Sequence, residues 1–316
     1  MRLAAHFWTV WPLVRKRLRP LAPPAGEAWS LAFDDPHAGE VRLTGRLTAV
    51  DGRRLVVLVH GLGGSIDSTY MIRTARAAEA MGLASLRLNL RGADRSGDDF
   101  YHAGLSGDLG RVLQSPALAR FAEIFFLGYS LGGHLALRFA TEVEDPRLRA
   151  VAAVCSPLDL DVSVRHFDRP AGWLYRRYIL RGLLEMAERQ AERGTMPTPL
   201  DKLRRVRTVR EWDRHTVVPR FGFESPEDYY RQASVGRRLD RLRRPALLIA
   251  TPGDPFVHPD AVRSALNGNH RRLRVEWVDG GGHVAFPASL DLGQEGPPGI
   301  EGQALGWLVA QGDASP

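Results

Sequence analysis

The run Ile124-Phe125-Phe126-Leu127-Gly128-Tyr129-Ser130-Leu131-Gly132-Gly133 decides the fold. Its four leading apolar residues read as a short buried strand, and Leu131 to about Thr141 carries helical spacing. Between strand and helix stands G-x-S-x-G, Gly128 to Gly132. That pattern makes a tight turn whose glycines admit close backbone and whose serine hydroxyl is pushed into a cleft. Taken bare, G-x-S-x-G has many chance matches. Set between a predicted strand and a predicted helix, it makes Ser130 a candidate nucleophile.

Working outward, apolar runs and helical runs alternate. Leu55–Val59, Ala84–Leu90, Ala150–Val154, Ala246–Ala250 and Leu273–Val278 read as strands. Ser68–Met81, Leu105–Leu113 and Ile300–Val309 read as helices, with the tail from Gly312 frayed. This alternation predicts an α/β fold: a mostly parallel central sheet with helices on both faces. Val41–Val50 is a further strand, and Asp51-Gly52 is a hairpin turn signal leading into Leu55–Val59. From Asp159 to Arg244 the alternation breaks. Prolines 170, 197, 199, 219 and 226 and helical patterning mark an insertion between two strands. The expected organisation is core over 1–158 (with an N-terminal arm, 1–27), helical cap over 159–244, and core again over 245–316.

A serine hydroxyl needs a general base, and the base needs a carboxylate to orient it. Asp254 and His283 follow Ser130 in that chain order, each in a loop beyond the carboxyl end of a strand. Gly280-Gly281-Gly282 before His283 suits a loop that must bend the imidazole toward the serine. Asp159 and Asp161, after the strand Ala150–Val154, are rival acids. The tetrahedral oxyanion of acyl transfer needs donors. The N–H of Leu131 follows the nucleophile, and His60-Gly61-Leu62-Gly63-Gly64 offers the N–H of Leu62. A glycine turn with no such role is the bland alternative for that second stretch.

Other chemistries lack support. Gly61–Gly64 is not followed by G-K-[ST], and H-E-x-x-H is absent, so neither a P-loop nor that zinc motif is read; no metal or organic cofactor is implied. The single cysteine, Cys155, excludes an internal disulfide framework and fits a reducing, cytoplasmic compartment, with secretion the open alternative. Cys155 itself ends an apolar strand, as a small buried residue would. No run of about 20 apolar residues occurs, so no transmembrane segment is expected. Arg15-Lys16-Arg17 follows the apolar start instead of preceding it, the reverse of a secretory leader. That start reads either as an arm packed on the body or as a peripheral membrane foot with Trp8 and Trp11.

Together these residues resemble the α/β-hydrolase superfamily, and more narrowly its YheT-like branch. The narrower resemblance rests on His60-Gly61-Leu62-Gly63-Gly64-Ser65 with Tyr70 and Arg73, and on Asn89-Leu90-Arg91-Gly92 with Tyr101-His102-Ala103-Gly104 and Asp108. It extends through Gly128–Gly133, Cys155–Leu160, Gly222-Phe223, Tyr229-Tyr230 and Ala233-Ser234, and favours the packed arm. The branch usually shows two adjacent aspartates where this chain has Gly253-Asp254, and Asp254 aligns with the second. The resemblance implies a serine hydrolase of ester bonds, often hydrophobic acyl esters, with a cap over the site. An acyltransferase or thioesterase would use the same acyl-enzyme, and a non-catalytic ligand-binding protein could share the fold.

The 316 residues carry 43 Lys and Arg against 36 Asp and Glu, a net charge of +7. Residues 165–244 hold 19 Arg and one Lys against 11 acids, a net of +9, which leaves −2 elsewhere. The excess therefore belongs to the cap segment. With no recognition motif present, that disfavours nucleic acid as a partner; for the small acyl ester that the resemblance implies, it favours a basic lid facing anionic esters or an acidic lipid surface. A solvated arginine-rich helical face is the alternative.

Overall fold

The structure, a computed structural model, describes residues 4–11, 21–268 and 270–313. One eight-stranded sheet organises them: β1 (Glu27–Asp35), β2 (Gly39–Thr48), β3 (Arg54–Val59), β4 (Ala84–Asn89), β5 (Glu123–Tyr129), β6 (Leu148–Val154), β7 (Ala246–Ala250) and β8 (Leu273–Trp277). The spatial order is β1-β2-β4-β3-β5-β6-β7-β8. From β4 to β8 every neighbouring pair is parallel, whereas β2 pairs antiparallel with both β1 and β4. The hairpin expected at Asp51-Gly52 is therefore corrected. Leu55–Val59 is fully buried, so β3 needs sheet neighbours on both sides and takes β4 and β5. The segment after β2 is a crossover, and β2 makes its hairpin with β1 instead. β1 was not foreseen, although Trp29, Leu31 and Phe33 alternate with smaller residues as a half-buried strand does.

Helices cover both faces. In chain order they are α1 (residues 4–11), α2 (Thr69–Ala80), α3 (Gly107–Leu113), α4 (Leu131–Ala140), α5 (Leu160–Phe167), α6 (Trp173–Glu192), α7 (Leu200–Leu203), α8 (Val209–His215), α9 (Val217–Phe221), α10 (Pro226–Ala233), α11 (Asp260–Arg263) and α12 (Ile300–Asp313). One apolar cluster joins α2 and α12 to Val56, Leu58, Phe125, Leu127 and Ile249 of the sheet. A larger one, on the other face, joins α4 to Val57, Val59, Phe126 and Leu248 and continues into α5–α10. The fraying expected from Gly312 is corrected for Gly312 and Asp313, while residues 314–316 lie outside the described residues. α12 reaches Asp313, which pairs with Arg54, and Gly312 is buried so close to Phe125 that an added Cβ would stand 3.0 Å from its ring. Arg15-Lys16-Arg17 lies outside the described residues, and no helix among those described is long and apolar enough to cross a membrane.

α5–α10 occupy the chain between β6 and β7, with no strand among them. They are fastened to the sheet by polar contacts. Arg91, 2% exposed, lies against Asp108 (2.7 Å), Asp35 (2.7 Å) and Asp99 (3.1 Å). Asp99 in turn accepts from Gln190 of α6 and Arg220 of α9. His134 of α4 sets Nδ1 2.8 Å from the Pro157 carbonyl and Nε2 3.0 Å from that of Ala233, gripping both ends of the helical segment.

Candidate active site

The turn from β5 into α4 is built on close backbone approach. An added Cβ at Gly128 would lie 2.3 Å from the Gly132 carbonyl oxygen, and one at Gly132 would lie 2.3 Å from that of Val59. Only glycine fits either position. Between them Ser130 takes φ 53°, ψ −120°, a sparsely populated conformation that costs of order 1–3 kcal/mol. Its side chain borders a cavity of about 450 Å³.

His283 borders the same cavity. Its Nδ1 meets both Asp254 oxygens, at 3.0 and 2.9 Å, within a pair that is nearly fully buried. Asp254 Oδ1 also accepts the backbone N–H groups of Phe256 (2.8 Å) and Val257 (3.0 Å), so its rotamer is fixed by its own loop. The Phe256 ring stacks on the imidazole, 4.3 Å between centroids and 12° between planes. No hydrogen bond joins Ser130 Oγ to His283 among the described residues; such bonds are often long until substrate binds.

The glycine loop after β3 lies against Ser130, where an added Cβ at Gly61 would stand 3.0 Å from Ser130 Cβ. Two tyrosines hold this loop. Tyr70 Oη accepts the Gly61 N–H at 3.1 Å and Tyr101 Oη accepts the Gly63 N–H at 2.6 Å. The Leu62 N–H between them makes no hydrogen bond among the described residues, nor does that of Leu131. Beneath the loop, the Leu90 N–H donates to His60 Nε2, which leaves Nδ1–H to donate to the Gly61 carbonyl. Burial lowers the pKa of His60 to about 4, opposed by that second bond, so the ring is neutral.

Sequence patterning brought Ser130, Asp254, His283, Leu62 and Leu131 forward, and all but Asp254 border the cavity, with Asp254 directly behind His283. Asp159 and Asp161 stand elsewhere: Asp159 caps α5 through the Val162 N–H, and Asp161 pairs with Arg165 and Arg210. The three glycines before His283 serve a purpose beyond bending. Gly282 admits α1, whose Ala5 carbonyl would lie 2.3 Å from an added Cβ, and the His283 N–H donates to Thr9 Oγ1. Sequence reading missed Thr9, Tyr70, Tyr101 and Phe256 in these roles. Tyr70 and Tyr101 stood in quoted motifs, but a hydroxyl aimed at a backbone N–H leaves no local pattern.

Elsewhere the cavity is apolar, walled by Leu160, Phe167, Tyr175, Ile179, Met186, Trp212 and Tyr229 of the helical segment. Asp213 and the Arg73–Glu301 pair are its charged borders. Burial pushes the Asp213 pKa up to about 7, against a 2.6 Å hydrogen bond donated by Tyr230. Among the described residues, two groups bring metal-binding atoms within 4.8 Å of one another. In Cys155–Asp254–His283, burial and then the Asp254 charge raise the thiol pKa well above its usual value, and Nδ1 already faces Asp254. In His166–His258–Asp260 the imidazoles stack in parallel planes 3.8 Å apart. Their in-plane lone pairs do not converge on one ion.

A model of the α/β hydrolase fold family matches residues 54–288, and the chain belongs to that family. Within it the chain stands in the YheT branch. It is 33% identical over 244 residues to the putative esterase YheT of Escherichia coli K12, which covers 74% of this chain and 70% of that protein. The monoacylglycerol lipase of Saccharomyces cerevisiae is 26% identical over 255 residues, 76% of this chain and 56% of that protein. For several curated relatives the chain spans less than two thirds of their length. Among solved structures, the esterase Pf2001 of Pyrococcus furiosus shares the fold with a TM-score of 0.54 at 18% identity, over 82% of this chain and 85% of that one. These esterase and lipase relatives are consistent with a carboxylic ester hydrolase of α/β type.

Proposed function

We propose that the protein hydrolyses carboxylic esters of hydrophobic acyl groups through an acyl-enzyme on Ser130. The observation that carries this reading is the buried Asp254–His283 pair, whose imidazole borders with Ser130 a cavity that is otherwise mainly apolar. His283 Nε2 takes the Ser130 proton as Oγ attacks the ester carbonyl. Asp254 holds the imidazole in the Nδ1–H tautomer and stabilises its charged form. The N–H groups of Leu62, in the loop fixed by Tyr70 and Tyr101, and of Leu131, at the start of α4, receive the oxyanion. His283 then gives its proton to the leaving alcohol, and water activated by the same ring releases the acid. The helices over 159–244 act as a cap that shelters the acyl chain. The one cysteine, reduced and buried, fits a cytoplasmic setting.

A fluorophosphonate probe tests the nucleophile. We expect it to label the protein and to fail on Ser130→Ala, with hydrolysis of acyl esters falling about 10³-fold or more in that variant. Partition of acyl groups between water and added alcohol, and rates on thioesters, separate a hydrolase from an acyltransferase or thioesterase. Absence of both labelling and hydrolysis across short to long acyl chains would make this a ligand-binding protein.

A further inference from the structure

Along α6, Ile179, Leu183 and Met186 recur at helical spacing and are buried. The other side of its first half carries Trp173, Leu174, Arg177, Tyr178 and Arg181, all exposed. On α1, Ala5 is buried and Thr9 serves the His283 loop, while Phe7, Val10 and Trp11 are exposed. The exposed large hydrophobic side chains among the described residues are Phe7, Val10, Trp11, Trp173, Leu174 and Tyr178, from 37% to 57% open, and all six lie on these two helices. The helices are joined: His6 stacks on Tyr175 and hydrogen-bonds its hydroxyl at 2.6 Å. Val10, Leu174 and Tyr178 also border the cavity, so the patch rims its mouth.

The two chain segments that carry this patch are basic and lack acids. No Asp or Glu precedes Glu27, and none occurs from Arg169 to Leu184. Arg177 has no ion pair among the described residues, and Arg181, 82% exposed, pairs with Glu185 at 3.4 Å. Deeper in the helical segment the arginines are engaged: Arg204 with Glu188, Arg193 with Asp98, Arg210 with Asp161 and Glu227, and Arg220 with Asp99. Pairing there is partial: Arg205, Arg207, Arg214, Arg237 and Arg241 are exposed and make no ion pair among the described residues, so the mouth is set apart by its apolar patch beside arginine and not by arginine alone.

We propose that the outward faces of α1 and the first half of α6 dock on an anionic lipid surface. Aromatic rings with arginines on one exposed face match an apolar boundary overlaid by negative headgroups. A protein partner would satisfy the apolar patch but gives no reason for both segments that carry it to lack acids, with Arg177 unpaired among the described residues. Docking there brings the mouth of the cavity onto the surface that holds acyl esters. Only that last step rests on the ester-hydrolase reading, because lipid binding is measured apart from activity.

The test is flotation of the full chain with vesicles of phosphatidylglycerol and phosphatidylcholine, or of phosphatidylcholine alone. We expect binding to the anionic vesicles, weakened by salt, and much less to the neutral ones. The triple variant Phe7→Ala, Trp11→Ala, Trp173→Ala should lose about tenfold or more in partition. Arg177→Gln with Arg181→Gln should lose about fivefold per charge on anionic vesicles and little on neutral ones. Both variants should hydrolyse a soluble short-chain ester as the parent does, which shows that they fold. Equal flotation of parent and variants, no flotation at all, or dimerisation of the parent through these residues would overturn the proposal. If the parent binds vesicles but hydrolyses nothing, docking stands and the catalytic reading fails.

Discussion

The backbone N–H of His283 donates to the Thr9 hydroxyl at 2.8 Å, across 274 residues of chain. The same hydroxyl donates to the Ala5 carbonyl at 2.8 Å, so α1 clamps the loop that carries the imidazole. Thr9→Val keeps the shape and removes the acceptor. We expect kcat/KM on a soluble ester to fall about tenfold, since small displacements of a catalytic group are costly, and Thr9→Ser to retain most of it. Steady-state kinetics check this, and wild-type rates for Thr9→Val would reduce the clamp to packing.

Tyr101 holds the Gly63 N–H at 2.6 Å and Tyr70 holds the Gly61 N–H at 3.1 Å. Removing one hydroxyl loosens the Leu62 N–H without touching the candidate triad. Tyr101→Phe should lower kcat about tenfold with KM within about twofold, a smaller loss than deleting an oxyanion donor outright. Tyr70→Phe should cost less. A rise in KM at constant kcat would instead place these rings in ordinary substrate binding.

Arg91 is the counter-charge for Asp35, Asp99 and Asp108 in a site closed to solvent. Arg91→Met leaves these carboxylates without it, though Asp99 keeps Arg220 at 3.2 Å. Denaturant unfolding should show a loss of about 3–5 kcal/mol. Arg91→Lys should recover little, because one ammonium cannot span three carboxylates. A loss near zero would mean that the cluster is wetter than its burial indicates.

Asp213 gives a pH signature. Burial lifts its pKa in the folded protein from 3.8 to about 7. The unfolded chain ionises first as pH rises, so between these values the native state holds the extra proton. Stability from this group is therefore full below the lower value and lost on rising to about pH 7, by on the order of a few kcal/mol. Asp213→Asn keeps an acceptor for Tyr230 and removes the proton. Its unfolding midpoint should vary less between pH 5 and pH 8 than the parent's, measured by denaturant at both pH values.

Much of the fold was legible because its cause is local. Leu55–Val59, Ile124–Leu127 and Ala246–Ala250 are apolar throughout, and such runs must be buried on both faces. Gly128 and Gly132 are dictated by close backbone contact, and Ser130, Asp254 and His283 each follow a strand that could be read. The candidate triad was therefore nameable from chain order alone. Pairing was not local. Asp51-Gly52 carried a sound hairpin signal, yet β4 came to lie between β2 and β3, because the two-sided burial of β3 outweighs a turn preference. Thr9 above His283, Tyr101 on Gly63 and Arg91 among its carboxylates depend on distant segments meeting, and nothing within a few residues of each announces the partner. The charge followed the same division. Sequence fixed that residues 165–244 are basic. Only the packed chain decided which arginines are neutralised and which face out beside Trp173 and Tyr178, because pairing depends on which acids the fold brings within reach.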